Sequence, residues 1–347
     1  KHPDPIHFDA SVMSIVSLAG SPMRISHFST YPYGGAATAA LRLNKQLRKQ
    51  RVDSRLFYNQ SDREIEPNDL VQLAETSEPE FGPLTSMVTR RARKKRRNDV
   101  YRLFNEHLAI RPEDAETFSM ARLPNLTQLN WNQVQADVIN LHWISYFADY
   151  PSFFQSIPAD VPIVWTLHDM NAFTGGCHYA GDCDRFATGC GLCPQINGGH
   201  LRDVSMDSFR TKQKTLAHRN IHVVAPSQWM LDQSQQSSIW PNQTSFHKIH
   251  YGFDLKKLHP VDRQTARRQL GIKSDAIIIG FGADDVSNHR KGMHHLIGAL
   301  EQMVTDQPVE CLTFGAGDAP EIANVARVHH QGFVEATERL RLIYSAA

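Results

Sequence analysis

The residues best suited to chemistry stand in WTLHDMNAFTGGC, Trp165 to Cys177, where an apolar run ends in the pair His168–Asp169. An imidazole beside a carboxylate can hold one tautomer, move a proton or stabilise developing charge. His168 is one of eighteen histidines, and a histidine taken at random is more often tied to a nearby backbone carbonyl. Its place at the end of the run from Ile163 favours function, because ligands of doubly wound sheets sit beyond the carboxyl ends of the strands. His142 ends the run VINLHW in the same way. It adjoins Trp143, and packing and function are equally open for it.

Cys177, Cys183, Cys190 and Cys193 fall within one glycine-rich stretch, 175–194. Closely spaced thiols between tight turns suit tetrahedral zinc, and the pair Cys190–Cys193 has the two-residue gap of the usual half-site. Two disulfides or reduced thiols in a packed loop are the alternatives. A closed structural zinc is expected ahead of them, and no catalytic metal. Cys311 lies in an apolar strand and reads as core.

Three further places could meet an anion. After RISHF, Gly34 and Gly35 precede a helix whose first N–H groups, unobstructed by side chains, could hold a phosphate or a leaving oxyanion. The full GxGxxG spacing is absent, which disfavours dinucleotide binding. Arg290 and Lys291, followed by Gly292, would supply charge to a diphosphate at a second helix start. Gly315 and Gly317 at a strand end, and the stretch Gly332 to Val334, could let a nucleotide approach the backbone.

Whole-chain properties set the bounds. With 37 basic and 36 acidic side chains the net charge is +1, so no global field points to nucleic acid or an anionic membrane. The exception is RRARKKRR at 90–97, which reads first as a solvated face and second as an attraction to a membrane surface. No neighbouring aromatic platform argues for RNA. No apolar run is long enough to span a bilayer, a secretory signal fits poorly, and clustered rather than dispersed cysteines suit a reducing cytoplasm.

The elements that must position these groups follow from hydrophobic pattern. RISHF, SRLFY, VINLHW, IVWTLH, HVVAPS, KIHYG, IIIGFG, CLTFGAG and VHHQGF read as strands. Several are continuously apolar, as strands buried on both faces of a parallel sheet are. Helical spacing separates them, from Ala36 to Leu47 and from Met293 to Met303. An α/β fold of two Rossmann-like domains is expected: an extension at 1–22, a first domain at 23–245 and a second at 246–347.

Taken in order, YGGAATAALRL, INLHWI, WTLHDMNAFTGGCHY, TGCGLCP, APSQWM, IHYGFD, HRKGMHHLIGAL and GFVEATERLRLIYSAA resemble the family-4 retaining glycosyltransferases of the GT-B fold. The likeness is to bacterial enzymes of capsule, colanic-acid and lipopolysaccharide assembly. It implies transfer of a sugar from a nucleotide donor to a glycan or lipid-linked acceptor, with parallel sheets facing a cleft. His168 would bond the donor sugar and stabilise transition-state charge. Arg290 and Lys291 would neutralise the departing diphosphate, which needs preorganised cations rather than a catalytic metal. Gly34 and Gly35 would approach the diphosphate or acceptor, and Val334 the base. Family members continue past YSAA with a strand and a glutamate-bearing loop, so the second domain is expected to be incomplete here. A nucleotide-sugar epimerase or hydrolase on the same fold is the runner-up, and a non-catalytic zinc-loop module binding nucleic acid is the contrasting class.

Overall fold

The computed structural model describes residues 22–59, 70–73, 83–109, 111–112, 115–196, 200–273 and 275–347; side chains at 83–90 and at 93 lie outside that description. All but the last residue of the expected extension at 1–22 falls outside it too. The chain forms two compact units, Lys1–Gly252 and Phe253–Ala347.

In the first unit the order is β1 (Arg24–Ser29), α1 (Gly34–Lys49), β2 (Asp53–Tyr58), β3 (Leu70–Gln72), α2 (Pro83–His107), α3 (Trp131–Val134), β4 (Val138–Leu141), α4 (Tyr150–Gln155), β5 (Ile163–Thr166), α5 (Val204–Leu216), β6 (Ile221–Ala225), α6 (Gln228–Gln236) and β7 (Ser245–Lys248). The strands make one sheet in the order β3-β2-β1-β4-β5-β6-β7, and every pairing is parallel. Strand order reverses between β1 and β4, which opens a crevice at their carboxyl ends. The β1–α1 turn, His142 after β4 and His168 after β5 all belong to that edge.

Helices on the sheet explain why these strands are apolar throughout. Ile139, Leu141, Ile163, Trp165, Ile221 and Val223 are buried, in one core with Phe28, Phe153, Phe154 and Phe173. Trp165 stacks on Phe154 and meets Trp240 edge-on. Truncating such a ring to alanine costs about 3–5 kcal/mol, so the strand that delivers His168 is among the most firmly held.

The second unit runs α7 (Arg263–Gln269), β8 (Ile277–Asp285), α8 (Met293–Glu301), β9 (Val309–Ala316), β10 (Arg327–His330) and α9 (Thr337–Ala346). Its sheet is parallel, in the order β10-β9-β8. Ile278, Leu312, Ile343 and Ala346 form one small core, and Leu300, Val309 and Cys311 a second. Cys311 is fully buried in β9, as its apolar neighbours imply.

The α/β class with parallel sheets is therefore as the pattern indicates, and four details differ. The units divide after Gly252, a few residues beyond the boundary expected at 245, because β7 completes the first sheet by pairing with β6. KIHYG is not a strand; β7 ends at its first residue, Lys248. The helix expected from Ala36 begins at Gly34, whose φ of 86° turns the chain out of β1. Finally β3, three residues on the sheet edge, is too short to carry a period.

Candidate active site

Two adjacent strands, β2 and β1, and the turns that follow the next two, β4 and β5, each contribute one member to a buried row of hydrogen bonds. Ser54 Oγ lies 2.6 Å from Asn44 Oδ1 and 3.1 Å from His27 Nε2. His27 Nδ1 lies 3.1 Å from His142 Nε2, and His142 Nδ1 lies 3.0 Å from His168 Nε2. His168 Nδ1 meets the Tyr251 hydroxyl at 2.6 Å, and that hydroxyl is also 3.0 Å from the Leu167 carbonyl. Tyr251 stacks on the His168 ring. His27 and His142 are buried and His168 is half-buried.

This burial decides protonation. Loss of solvent lowers the His27 pKa to about 3 and that of His168 to about 4, the latter partly offset by Asp169. His142 falls well below its ordinary range through burial first and then through the neighbouring rings. The row is neutral at pH 7. Both nitrogens of His168 are engaged by protein groups, so a bond to a sugar requires a ligand hydroxyl to replace one partner. The adjoining cavity, lined by His142, Trp143, Tyr150, His168 and Asp169 among others, measures about 10 Å³, room for one water molecule and not for a hexose. Tyr150 Oη is buried without a hydrogen-bond partner and belongs to this lining.

Asp169 faces a different group. Its Oδ2 takes hydrogen bonds from Trp143 Nε1 at 2.7 Å and His178 Nδ1 at 2.5 Å, and its Oδ1 takes one from Asn171 N at 2.9 Å. Burial alone would raise its pKa. The His178 bond and charge, with the Asn171 and Trp143 donors, outweigh that and hold it below the ordinary carboxylate value. His178 Nε2 then meets Ser119 Oγ at 2.8 Å. The connectivity is that of a Ser-His-Asp triad, but Ser119 is 2% exposed, and no substrate carbonyl can reach it. The set fixes the turn after β5 and lends nothing to a hydrolase.

The cysteines do not form the expected zinc site. All four border one small apolar cavity, yet among the described residues no three His, Cys, Asp or Glu side chains gather in metal-binding geometry. Burial raises the Cys177 and Cys190 thiols to about 12. Polar contacts order the loop instead. Asp203 caps α5 through Ser205 N and Met206 N and takes Cys193 N on its other oxygen. The buried Lys212 ammonium donates to Asn171 O, Asn171 Oδ1 and Thr174 O. Gly175 is obligatory: a Cβ there would stand 2.3 Å from the Ser205 carbonyl.

The helix starts flagged as anion sites share a property. Helices α3, α4, α5, α6 and α7 each have a side-chain cap, from Asn130, Asp149, Asp203, Ser227 and Asp262. Neither α1 nor α8 has one, and among the helices whose starts are described α9 is the third without. At α1, Gly34 and Gly35 face open space, with nothing within 4 Å of an added Cβ. At α8, Gly292 holds a left-handed turn after the 3-10 segment His289–Lys291. That turn borders a cavity of about 510 Å³ lined by Ser287, Asn288, His289, His294, Gly317 and Asp318 among others.

Of the second-unit candidates, Gly317 lines this cavity, and Arg290 and Lys291 follow directly on its wall residue His289. Lys291 Nζ is paired with Asp284 Oδ1 at 3.1 Å. Gly315 instead allows the strand end to pass β8, since a Cβ would lie 2.6 Å from Ala283 O. Val334 is half-buried against the core of this unit.

Residues 90–97 lie on α2. Arg96 turns inward to the buried carboxylate of Asp149, and Val100 and His107 continue that inner face. Lys94, Arg97, Tyr101 and Phe104 are exposed at helical spacing. Aromatic rings thus stand beside the basic block, against the expectation of none, because one further helical turn brings Tyr101 and Phe104 onto the same face. His27, Tyr251, His178 and Lys212 join the site without a motif that singles them out. For His27 the signal was a polar residue inside an apolar strand.

No protein-family model matches the chain. It is 26% identical over 292 residues to "Putative colanic acid biosynthesis glycosyl transferase WcaC" of Escherichia coli (strain K12), an alignment covering 81% of this chain and 66% of that protein. Two solved structures align more loosely. The Anabaena Alr3699/HepE structure, in complex with UDP and glucose, gives a TM-score of 0.47 at 15% identity, covering 94% of this chain and 72% of that one. The Acinetobacter baumannii MurG structure gives 0.39 at 12%, covering 94% and 71%. Likeness at those scores does not bear on the function. Over most of its length, then, the chain is similar in sequence to a protein named as a putative glycosyl transferase of colanic acid biosynthesis, of which it spans 66%.

Proposed function

We propose that the chain is a glycosyltransferase of bacterial surface-polysaccharide assembly, moving a sugar from a nucleotide donor to a glycan or lipid-linked acceptor on a GT-B frame, with retention of configuration. The observation that carries the reading is the uncapped start of α8 beneath His289, Arg290 and Lys291, at the rim of a cavity of about 510 Å³. The similarity to WcaC supports it.

The chemistry follows from charge. When the sugar–phosphate bond breaks, negative charge grows on the diphosphate. Fixed N–H groups and cations that meet it lower the barrier without reorganisation. In this reading Lys291 exchanges Asp284 for the diphosphate, Arg290 assists, and Gly317 lets the nucleotide approach β9. On the first unit, the open N-terminus of α1 at Gly34 and Gly35 serves the diphosphate or acceptor, while His168, held by His142 and by Tyr251, orients a hydroxyl of the donor sugar.

The same reading takes the enzyme to work in the cytoplasm at the inner face of the membrane. Among the described residues no helix is long and apolar enough to cross a bilayer. The exposed face of α2, basic and aromatic together, suits peripheral contact with anionic lipid.

A thermal-shift screen of UDP-, GDP- and ADP-sugars tests the proposal, since a ligand that binds only the native state raises its melting temperature. At least one donor is expected to stabilise the protein, and Arg290→Ala with Lys291→Ala is expected to abolish that shift. No shift with any donor, or an undiminished shift in the double variant, counts against it.

A further inference from the structure

The row from Tyr251 to Asn44 has five links: Tyr251–His168, His168–His142, His142–His27, His27–Ser54 and Ser54–Asn44. Two hydroxyls bring one hydrogen each and three neutral imidazoles bring one each, which is five. Every link is filled only if all the bonds run in one direction. Ser54 Oγ donates to Asn44 Oδ1 at 2.6 Å, so it accepts from His27 Nε2–H. His27 Nδ1 then accepts from His142 Nε2–H, and His142 Nδ1 from His168 Nε2–H. His168 Nδ1 is left with a lone pair, and the group against it at 2.6 Å is the Tyr251 hydroxyl.

The opposite arrangement at the near end has a cost. If Tyr251 spent its hydrogen on the Leu167 carbonyl, 3.0 Å away, His168 would have to donate from Nδ1. With Ser54 fixed, His142 would then need hydrogens on both nitrogens, a cation at a ring that is 4% exposed. Burial opposes that charge.

We propose that Tyr251 is a positioning residue for His168: its hydroxyl holds the ring in the Nε2–H tautomer and keeps Nδ1 as a hydrogen-bond acceptor at the half-exposed end of the row. Its significance for catalysis rests on the transferase reading above. A substrate hydroxyl replacing the tyrosine's would find an acceptor there, not a donor, and the buried histidines behind it would hold that polarity. Tyr251 closes the first unit, directly before Gly252, the last residue of that unit, so the linker segment is itself tied to the ring.

The test is nitrogen-15 NMR of the full chain with labelled histidine, His168 being assigned by loss of its signals in His168→Gln. The expected wild-type pattern is that of the Nε2–H tautomer, with Nδ1 far downfield of Nε2. In Tyr251→Phe, which keeps the ring stack and removes only the hydroxyl, Nδ1 is expected to shift further downfield or to show mixed tautomers, with the melting transition retained. An Nδ1–H tautomer in the wild type overturns the proposal, as does an unchanged His168 spectrum in the variant; if the variant fails to fold, the wild-type tautomer decides. No substrate enters the measurement, so its outcome and that of the donor screen are independent.

Discussion

Lys212 carries a full charge into the interior with 0% exposure, and burial lowers its pKa to about 8, offset in part by Cys177, Cys190 and Asp169. Its three acceptors all belong to the segment 171–174, which begins two residues after Asp169. Lys212→Met is therefore expected to cost about 3 kcal/mol, because three carbonyl-type oxygens lose a charged donor that water cannot replace. Urea denaturation measures it, and a loss below about 1 kcal/mol would mean that the ammonium does not hold the loop. At this scale the sequence was only partly legible. His168 and Asp169 stand out because they interrupt an apolar run. Lys212 resembles any other lysine of an amphipathic helix, since its surroundings come from a segment some 40 residues away.

Elements were easier to read, and their errors are instructive. The parallel strands announce themselves by continuous apolar runs, whereas KIHYG reads as a strand and is not, because the partner strand β6 ends at Ala225 opposite Lys248 and the chain beyond Ile249 runs past that end. The basic segment shows what an element adds to composition. As part of α2 its charges divide, Arg96 inward to Asp149 and Lys94 and Arg97 outward beside Tyr101 and Phe104. Reversing the two outward charges, Lys94→Glu with Arg97→Glu, is expected to weaken binding to phosphatidylglycerol vesicles about thirtyfold, from about 1 kcal/mol for each basic residue at an anionic surface. The melting temperature should stay within about 2 °C, as neither side chain is buried. Vesicle sedimentation at low and high salt decides it; equal binding by the variant would remove α2 from the membrane, and loss of oligonucleotide binding instead would reassign the face to nucleic acid.

For the whole molecule, the row of neutral histidines makes a statement about pH. The folded values, about 3 for His27, about 4 for His168 and well lowered for His142, lie below the unfolded value of about 6.5. Above that value neither state binds a proton there and the stability is fully present. As the pH falls from about 6.5 toward 4, the unfolded chain takes up protons that the native state refuses, and stability is lost. The urea midpoint is expected to hold near pH 7 and decline steadily from pH 6.5 to pH 4.5, more shallowly in His142→Gln. A midpoint flat across that interval would mean that the rings are charged in the folded protein. The sequence by itself determined the α/β class, the parallel strands and the residues at their carboxyl ends, since burial on both faces of a strand writes itself into every residue of the run. Only the tertiary structure decided that Ser54, His27, His142, His168 and Tyr251 form one file, that Asp169 turns to His178, and that four nearby thiols do not assemble as metal ligands. Those outcomes depend on which strands lie side by side and where their ends point, and strand order is fixed by packing between distant segments and not by local pattern.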